Sequence, residues 1–272
     1  MNRNLNLQGN ENMKALVVIG TRPECIKLAP VINELRKRAC DAPISVKVCV
    51  TAQHREMLDQ MLRLFDIVPD YDLDVMQANQ SPEQVVSTII SKFGAVLREE
   101  KPDWVIVQGD TSTVVAASLA AFYNRVKVAH VEAGLRSHDR WQPYPEEINR
   151  RVAGVVADLH FAPTEHSRQN LLAEQVPHDS IIVTGNPVID AVHWIASQPR
   201  KSDELLLDDD EKLILVTAHR RENFGEPLEN ICFALRDIAA RNRGRGVRII
   251  YAVHPNPRVT QTVHTILNDC PD

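Results

Sequence analysis

The sequence predicts an α/β protein built from two units, each with a parallel sheet, and three observations carry that prediction. Residues 15–19 and 104–107 are continuous apolar runs without polar alternation, the pattern of strands covered on both faces, and 126–131 is a further strand candidate. Segments of helical period separate these runs, and strands alternating with helices imply right-handed βαβ crossovers. A polar, acidic stretch at 198–212, including Asp208-Asp209-Asp210, interrupts the alternation, after which it starts again.

In the first unit, 15–19 leads into Gly20-Thr21-Arg22-Pro23 and a helix ending in Arg36-Lys37-Arg38. Pro23 suits a first helical turn, the basic end complements the helix dipole, and Pro30 predicts a kink. A strand at 46–50 and a helix at 53–65 follow. Ser81-Pro82-Glu83-Gln84 reads as a capping box opening a helix to about residue 99. The strand at 104–107 ends in Gly109-Asp110-Thr111, and an Ala-rich helix covers 114–122. The strand at 126–131 runs into Glu132-Ala133-Gly134-Leu135-Arg136. Pro145 opens a helix carrying Glu146, Glu147, Arg150 and Arg151. Short strands near 160–162 and at 181–183 bring the first unit to six strands. In the second unit, 213–216 is a strand, 229–240 a helix and 247–253 a strand ending in His254-Pro255-Asn256-Pro257. The expected organisation is a disordered extension at 1–12, an N-terminal Rossmann-like domain at 13–197, a linker at 198–212 and a partial nucleotide-binding domain at 213–272. Two strands with two helices bury too little to stand alone, so the second domain is expected to be incomplete.

Composition narrows the function classes. The 272 residues are 44% hydrophobic and 25% charged, with a formal net charge of -5, which gives no basic surface for nucleic acid. No apolar run approaches the ~18 residues of a membrane span, and the polar first dozen residues lack a signal peptide's core. Five scattered cysteines, none at Cys-x-x-Cys spacing, read as buried reduced thiols of a cytoplasmic protein. The Gly-x-Gly-x-x-Gly and Walker A patterns are missing, which argues against a resident dinucleotide and ATP hydrolysis. Metal-ligand spacings and the nucleophile elbow are missing too, so neither metal nor cofactor is expected.

Open α/β sheets bind ligands at the carboxyl ends of their strands. The strand ends deliver Thr21 and Arg22, Asp110, Glu132 and Arg136, His219-Arg220-Arg221-Glu222, and His254 with Asn256. Lys27 lies a turn into the first helix, where with Arg22 it could hold an anion. One such residue is more often a cap or a surface charge; five strands ending this way point to a site for acid–base work on an anionic ligand.

Eight segments, in order, resemble the bacterial non-hydrolysing UDP-N-acetylglucosamine 2-epimerases. They are Gly20-Thr21-Arg22-Pro23-Glu24 leading to Lys27, Thr51-Ala52-Gln53-His54-Arg55, Gly109-Asp110-Thr111, His130-Val131-Glu132-Ala133-Gly134-Leu135-Arg136, Pro145-Glu146-Glu147-x-Asn149-Arg150, Thr184-Gly185-Asn186, His219-Arg220-Arg221-Glu222-Asn223 and His254-Pro255-Asn256-Pro257. The resemblance implies two Rossmann-like domains of glycosyltransferase-B type facing across a cleft, and interconversion of UDP-GlcNAc and UDP-ManNAc without a cofactor. UDP would be eliminated and re-added across a 2-acetamidoglucal. It implies Asp110, Glu132 and Glu146 as the acid–base carboxylates, in an order left open, and His219 beside the departing diphosphate. Arg22, Lys27 and Arg136 are implied substrate contacts. Gln53, His54, Arg55 and His254 resemble part of an effector site for a second UDP-GlcNAc. A homodimer serving polysaccharide precursor supply is implied as well. The family's later uridine-holding segments and crossing C-terminal helix have no counterpart here, so the chain alone is expected to turn over far more slowly than a complete relative. A hydrolysing epimerase releasing ManNAc, a glycosyltransferase and a weakly binding, inactive fragment are the alternatives.

Overall fold

The protein is described by a computed structural model covering residues 12–52, 55–76, 80–199, 210–219 and 223–268. Contacts divide the chain into two compact units, Met1–Gln198 and Pro199–Asp272. Most of the expected linker lies outside the described residues.

The first unit holds one seven-stranded sheet: β1 (Met13–Ile19), β2 (Ile44–Val50), β3 (Tyr71–Asp72), β4 (Trp104–Gln108), β5 (Lys127–Val131), β6 (Leu159–Ala162) and β7 (Ile181–Val183). The order is β3-β2-β1-β4-β5-β6-β7 and every pairing is parallel. The chain winds outward from β1 in one direction and from β4 in the other, so the switch point lies between β1 and β4. That is where a doubly wound sheet opens a crevice for ligand.

Alternation along the strands sends side chains to two separate cores. Leu16, Val18, Val105 and Val107 face α3 (Pro82–Glu100), α4 (Ser112–Tyr123) and α5 (Glu146–Val156), with Phe93 fully buried among them. Ala15, Val17 and Ile19 face α1 (Arg22–Arg38), α2 (Arg55–Leu64) and α7 (Val188–Ser197). Each fully buried large apolar side chain is worth ~1.5–3 kcal/mol of transfer free energy. A smaller cluster packs α6 (Glu165–Ala173) through Leu171 against Ala162 and Ile181.

Local chemistry explains the helix starts. Ser81 N–H donates to Gln84 Oε1 at 3.0 Å, and Thr111 and Thr164 accept from the N–H groups of Val114 and Ser167. Two expectations change. The sheet has a seventh strand, because two-residue β3 on the edge is too short to show a period. Cys25, Cys49 and Cys232 are buried free thiols, but Cys40 is exposed, because it follows the last turn of α1 at the surface.

The second unit pairs β8 (Lys212–Val216) with β9 (Val247–Tyr251) in parallel, with α8 (Glu226–Arg241) and α9 (Pro257–Leu267). Leu228, Cys232, Val259 and Val263 form their shared core. Among the described residues no helix is long and apolar enough to cross a membrane.

Candidate active site

The tips of β1, β4 and β5 carry the acidic residues, and each acid is held by neighbours from other elements. Glu132 follows β5 with φ 63°, a left-handed conformation that strains a residue with a Cβ. Its side chain is only 8% exposed. Lys27 Nζ of α1 lies 2.5 Å from Oε2, Gln108 at the end of β4 donates to the same oxygen, and Asn186 Nδ2 donates to Oε1 at 2.7 Å. Asn186 also accepts from Val188 N–H at 3.1 Å, so one side chain starts α7 and holds Glu132.

Asp110 sits just past β4 on the crevice side of the switch point. Arg150 of α5 donates to its Oδ2, and Asn149 Nδ2 donates to its backbone carbonyl at 2.9 Å. Burial pushes its carboxyl above the ordinary aspartate value. Arg150 opposes that rise, while the charges of Glu146 and Glu132 add to it. Glu146 opens α5 and keeps a buried Oε2 without a hydrogen-bond partner. Glu147, fully buried, accepts from Ser137 N–H at 3.0 Å and faces Arg150 at 3.7 Å. Asp110, Glu132, Glu146 and Lys27 therefore share one neighbourhood.

Two further groups lie beneath this rim. Glu24 of α1 is 2% exposed and accepts from the backbone N–H groups of Gly20 and Thr21 and from the Thr111 hydroxyl. Burial raises it to about 7 against those hydrogen bonds. His130 of β5 is completely buried, with Nε2 2.7 Å from the Gly109 carbonyl. A carbonyl only accepts, so Nε2 carries the proton. Burial pushes the imidazole down to about 4, a neutral ring bracing the Gly109-Asp110 turn.

In the second unit, His219 and His254 each follow their strand by three residues, and the strands pair Val216 with Tyr251. The equal offset brings the two rings into a stack, centroids 4.8 Å apart and planes 22° apart. Asn256 N–H donates to His254 Nδ1 at 3.1 Å, and Tyr251 donates its hydroxyl proton to the Ala218 carbonyl at 2.8 Å. His219 is thus stacked on a ring that is itself held by the Asn256 backbone.

Other expected residues fall elsewhere. Arg136 does not reach the rim: its side chain is 1% exposed and makes two bonds to Glu174, at 2.8 and 2.7 Å, plus one to the Leu135 carbonyl. Arg55 is engaged by Asp72 at 2.6 Å and Asp74 at 3.2 Å. Arg22 stands exposed at the start of α1 without an ion-pair partner among the described residues. Gln53, His54, Arg220, Arg221 and Glu222 lie outside the described residues.

The family model for UDP-N-acetylglucosamine 2-epimerase matches residues 36–272. The UDP-N-acetylglucosamine 2-epimerase of Salmonella typhimurium is 52% identical over 264 residues, covering 94% of this chain and 69% of the relative. The chain belongs to the UDP-N-acetylglucosamine 2-epimerase family. Among solved structures, the Neisseria meningitidis UDP-GlcNAc 2-epimerase bound to UDP-GlcNAc matches with a TM-score of 0.84 and 47% identity, covering 95% of this chain and 71% of the other. The S. aureus MnaA–UDP co-structure matches with a TM-score of 0.81 and 43% identity, covering 94% and 67%.

Within this 2-epimerase site, sequence reasoning missed Gln108 and Asn186 on Glu132, Asn149 and Arg150 on Asp110, and the buried Glu24 and Glu147. Asn149 and Arg150 carried a signal: on a helix opened by Glu146 they lie three and four residues on, the spacing that shares a face.

Proposed function

We propose that the chain interconverts UDP-GlcNAc and UDP-ManNAc by inverting C2 of the sugar. The observation that carries this is Asp110, a carboxyl of raised proton affinity at the switch point, next to the unpartnered oxygen of Glu146. A base takes the C2 proton, the C–H electrons form the C1–C2 double bond, and the C1–O bond to the diphosphate breaks. UDP and 2-acetamidoglucal result. The proton returns to C2 on the opposite face while UDP oxygen re-forms its bond to C1, so atoms and electrons balance without a redox partner.

Asp110 and Glu146 perform the two proton transfers, worth ~10²–10⁴-fold in rate for a positioned acid or base. Glu132 accepts from Lys27, Gln108 and Asn186, and by family resemblance it is the third acid–base carboxylate. Family resemblance assigns His219 to the departing diphosphate, where a donor to developing negative charge is worth a few kcal/mol. Arg22, at the N-terminus of α1, adds a cation for the same phosphates. Family resemblance supports retention of the nucleotide, a homodimer through the first unit, and a cytoplasmic enzyme supplying polysaccharide precursors.

Proton NMR of UDP-GlcNAc incubated with the protein tests the reaction. Anomeric signals of UDP-ManNAc are expected. Free ManNAc as the main product, or unchanged substrate, would overturn it.

A further inference from the structure

We propose that Glu24 is a positioning residue for the proton-transfer site, tying the β1–α1 turn to the β4–α4 turn so that Asp110 is set by its neighbour Thr111. The inference rests on the reading of Asp110 as a proton-transfer group. Its geometry is independent of that reading.

The side chain spans the switch point. One carboxylate oxygen accepts from Gly20 and Thr21 N–H on the β1 side, and the other accepts from the Thr111 hydroxyl on the β4 side. Thr111 is the N-cap of α4 and directly follows Asp110. Gly20 packs so closely that a Cβ there would lie 2.1 Å from Thr113 Oγ1, so the β1–α1 turn lies directly against the start of α4. The rim has two fully buried carboxyls, and they differ. Glu147 faces the Arg150 guanidinium, whereas Glu24 meets only neutral donors. The charge of Asp110 adds to the burial that raises the Glu24 carboxyl. The other charged groups around the pair are accounted for. Arg150, Glu146 and Glu132 act on Asp110, Lys27 is paired with Glu132, and burial holds the Cys25 thiol neutral at about 12.

A helix cap alone does not require a carboxylate, because Gln serves equally at the third position of a capping box. Glu24→Gln therefore separates the two roles. With carbon-13 labelled Asp, the Asp110 carboxyl resonance, assigned by its loss in Asp110→Asn, is titrated in wild type and in E24Q. The midpoint of Asp110 is expected to move in E24Q, because the amide cannot hold both Thr111 and the β1–α1 turn and Asp110 is no longer fixed against Arg150 and Glu146, and turnover to drop by about tenfold or more with KM within about twofold, as for a lost transition-state interaction. Thr111→Ser, which keeps the hydroxyl, is expected to retain wild-type titration and rate. An unchanged Asp110 midpoint in folded E24Q overturns the proposal, as does loss of thermal stability matching that of Glu24→Ala, which would make Glu24 a cap only. The titration needs no turnover. A wild type that neither epimerises nor exchanges would sink the proposed reaction and leave the Glu24 result readable.

Discussion

The strand tips of the two units solve different problems. In the first unit the sheet is covered on both faces, and its rim carries acids held by named donors, with Oε2 of Glu146 left without a hydrogen-bond partner. In the second, α8 and α9 share one apolar cluster while Leu213 and Leu215 on β8 remain 44% and 68% exposed. Its rim is a pair of stacked histidines, with His219 at the surface. Burial moves carboxylate proton affinity toward neutrality, so proton transfer belongs on the first rim. A surface histidine keeps contact with water and suits a phosphate that must arrive and depart.

Replacing Asp110 should break this division most sharply. Asp110→Asn is expected to lower turnover by about a thousandfold or more, while His219→Asn loses about a hundredfold, measured by NMR epimerisation assay. Equal losses would merge the two roles.

Packing gives the next largest effect. Gly134 has φ 87°, and a Cβ there would lie 2.2 Å from the Ser167 carbonyl oxygen; Gly244 has φ 72° with nothing within 4 Å. Gly134→Ala should cost ~3 kcal/mol or more, and Gly244→Ala ~1 kcal/mol from backbone strain alone, read by urea denaturation. The leucines sharpen the same contrast. Leu16→Ala, at 1% exposure, should cost ~2–5 kcal/mol, and Leu215→Ala below ~0.5 kcal/mol.

The smallest effect is a slope. Glu24 is raised from 4.5 to about 7, so its contribution to stability is present below the unfolded value and is lost as pH rises toward 7. His130 is lowered from 6.5 to about 4, so its contribution is present above the unfolded value and is lost as pH falls toward 4. The two oppose each other between 4.5 and 6.5. Glu24→Gln should therefore make stability climb more steeply with pH in that window, by up to ~1.4 kcal/mol per unit, in urea melts at several pH values.

The contrast also marks what a sequence reveals. Strands β1 and β4 were legible because a strand buried on both faces favours a continuous apolar run. β3 was not, since two residues cannot show a period, and α7 was hidden because Val188–Ser197 is nearly apolar all round. Asp110, Glu132 and His219 were legible as chemistry-bearing residues just past strands. Arg136 gave the same signal but is spent on Glu174, a partner 38 residues away that no local pattern announces. Gln108, Asn186 and Glu24 carried no assigned role, because their partners are chosen by the sheet order. The stacking of His219 on His254 could have been anticipated, as both lie three residues past neighbouring strands.

The most direct test of the account is deuterium at C2. In heavy water, the wild-type protein should return both UDP-sugars with deuterium at that carbon, and Asp110→Asn should return neither. UDP-ManNAc formed with the original C2 hydrogen retained would contradict proton abstraction at this rim, as would full exchange by the Asp110→Asn protein.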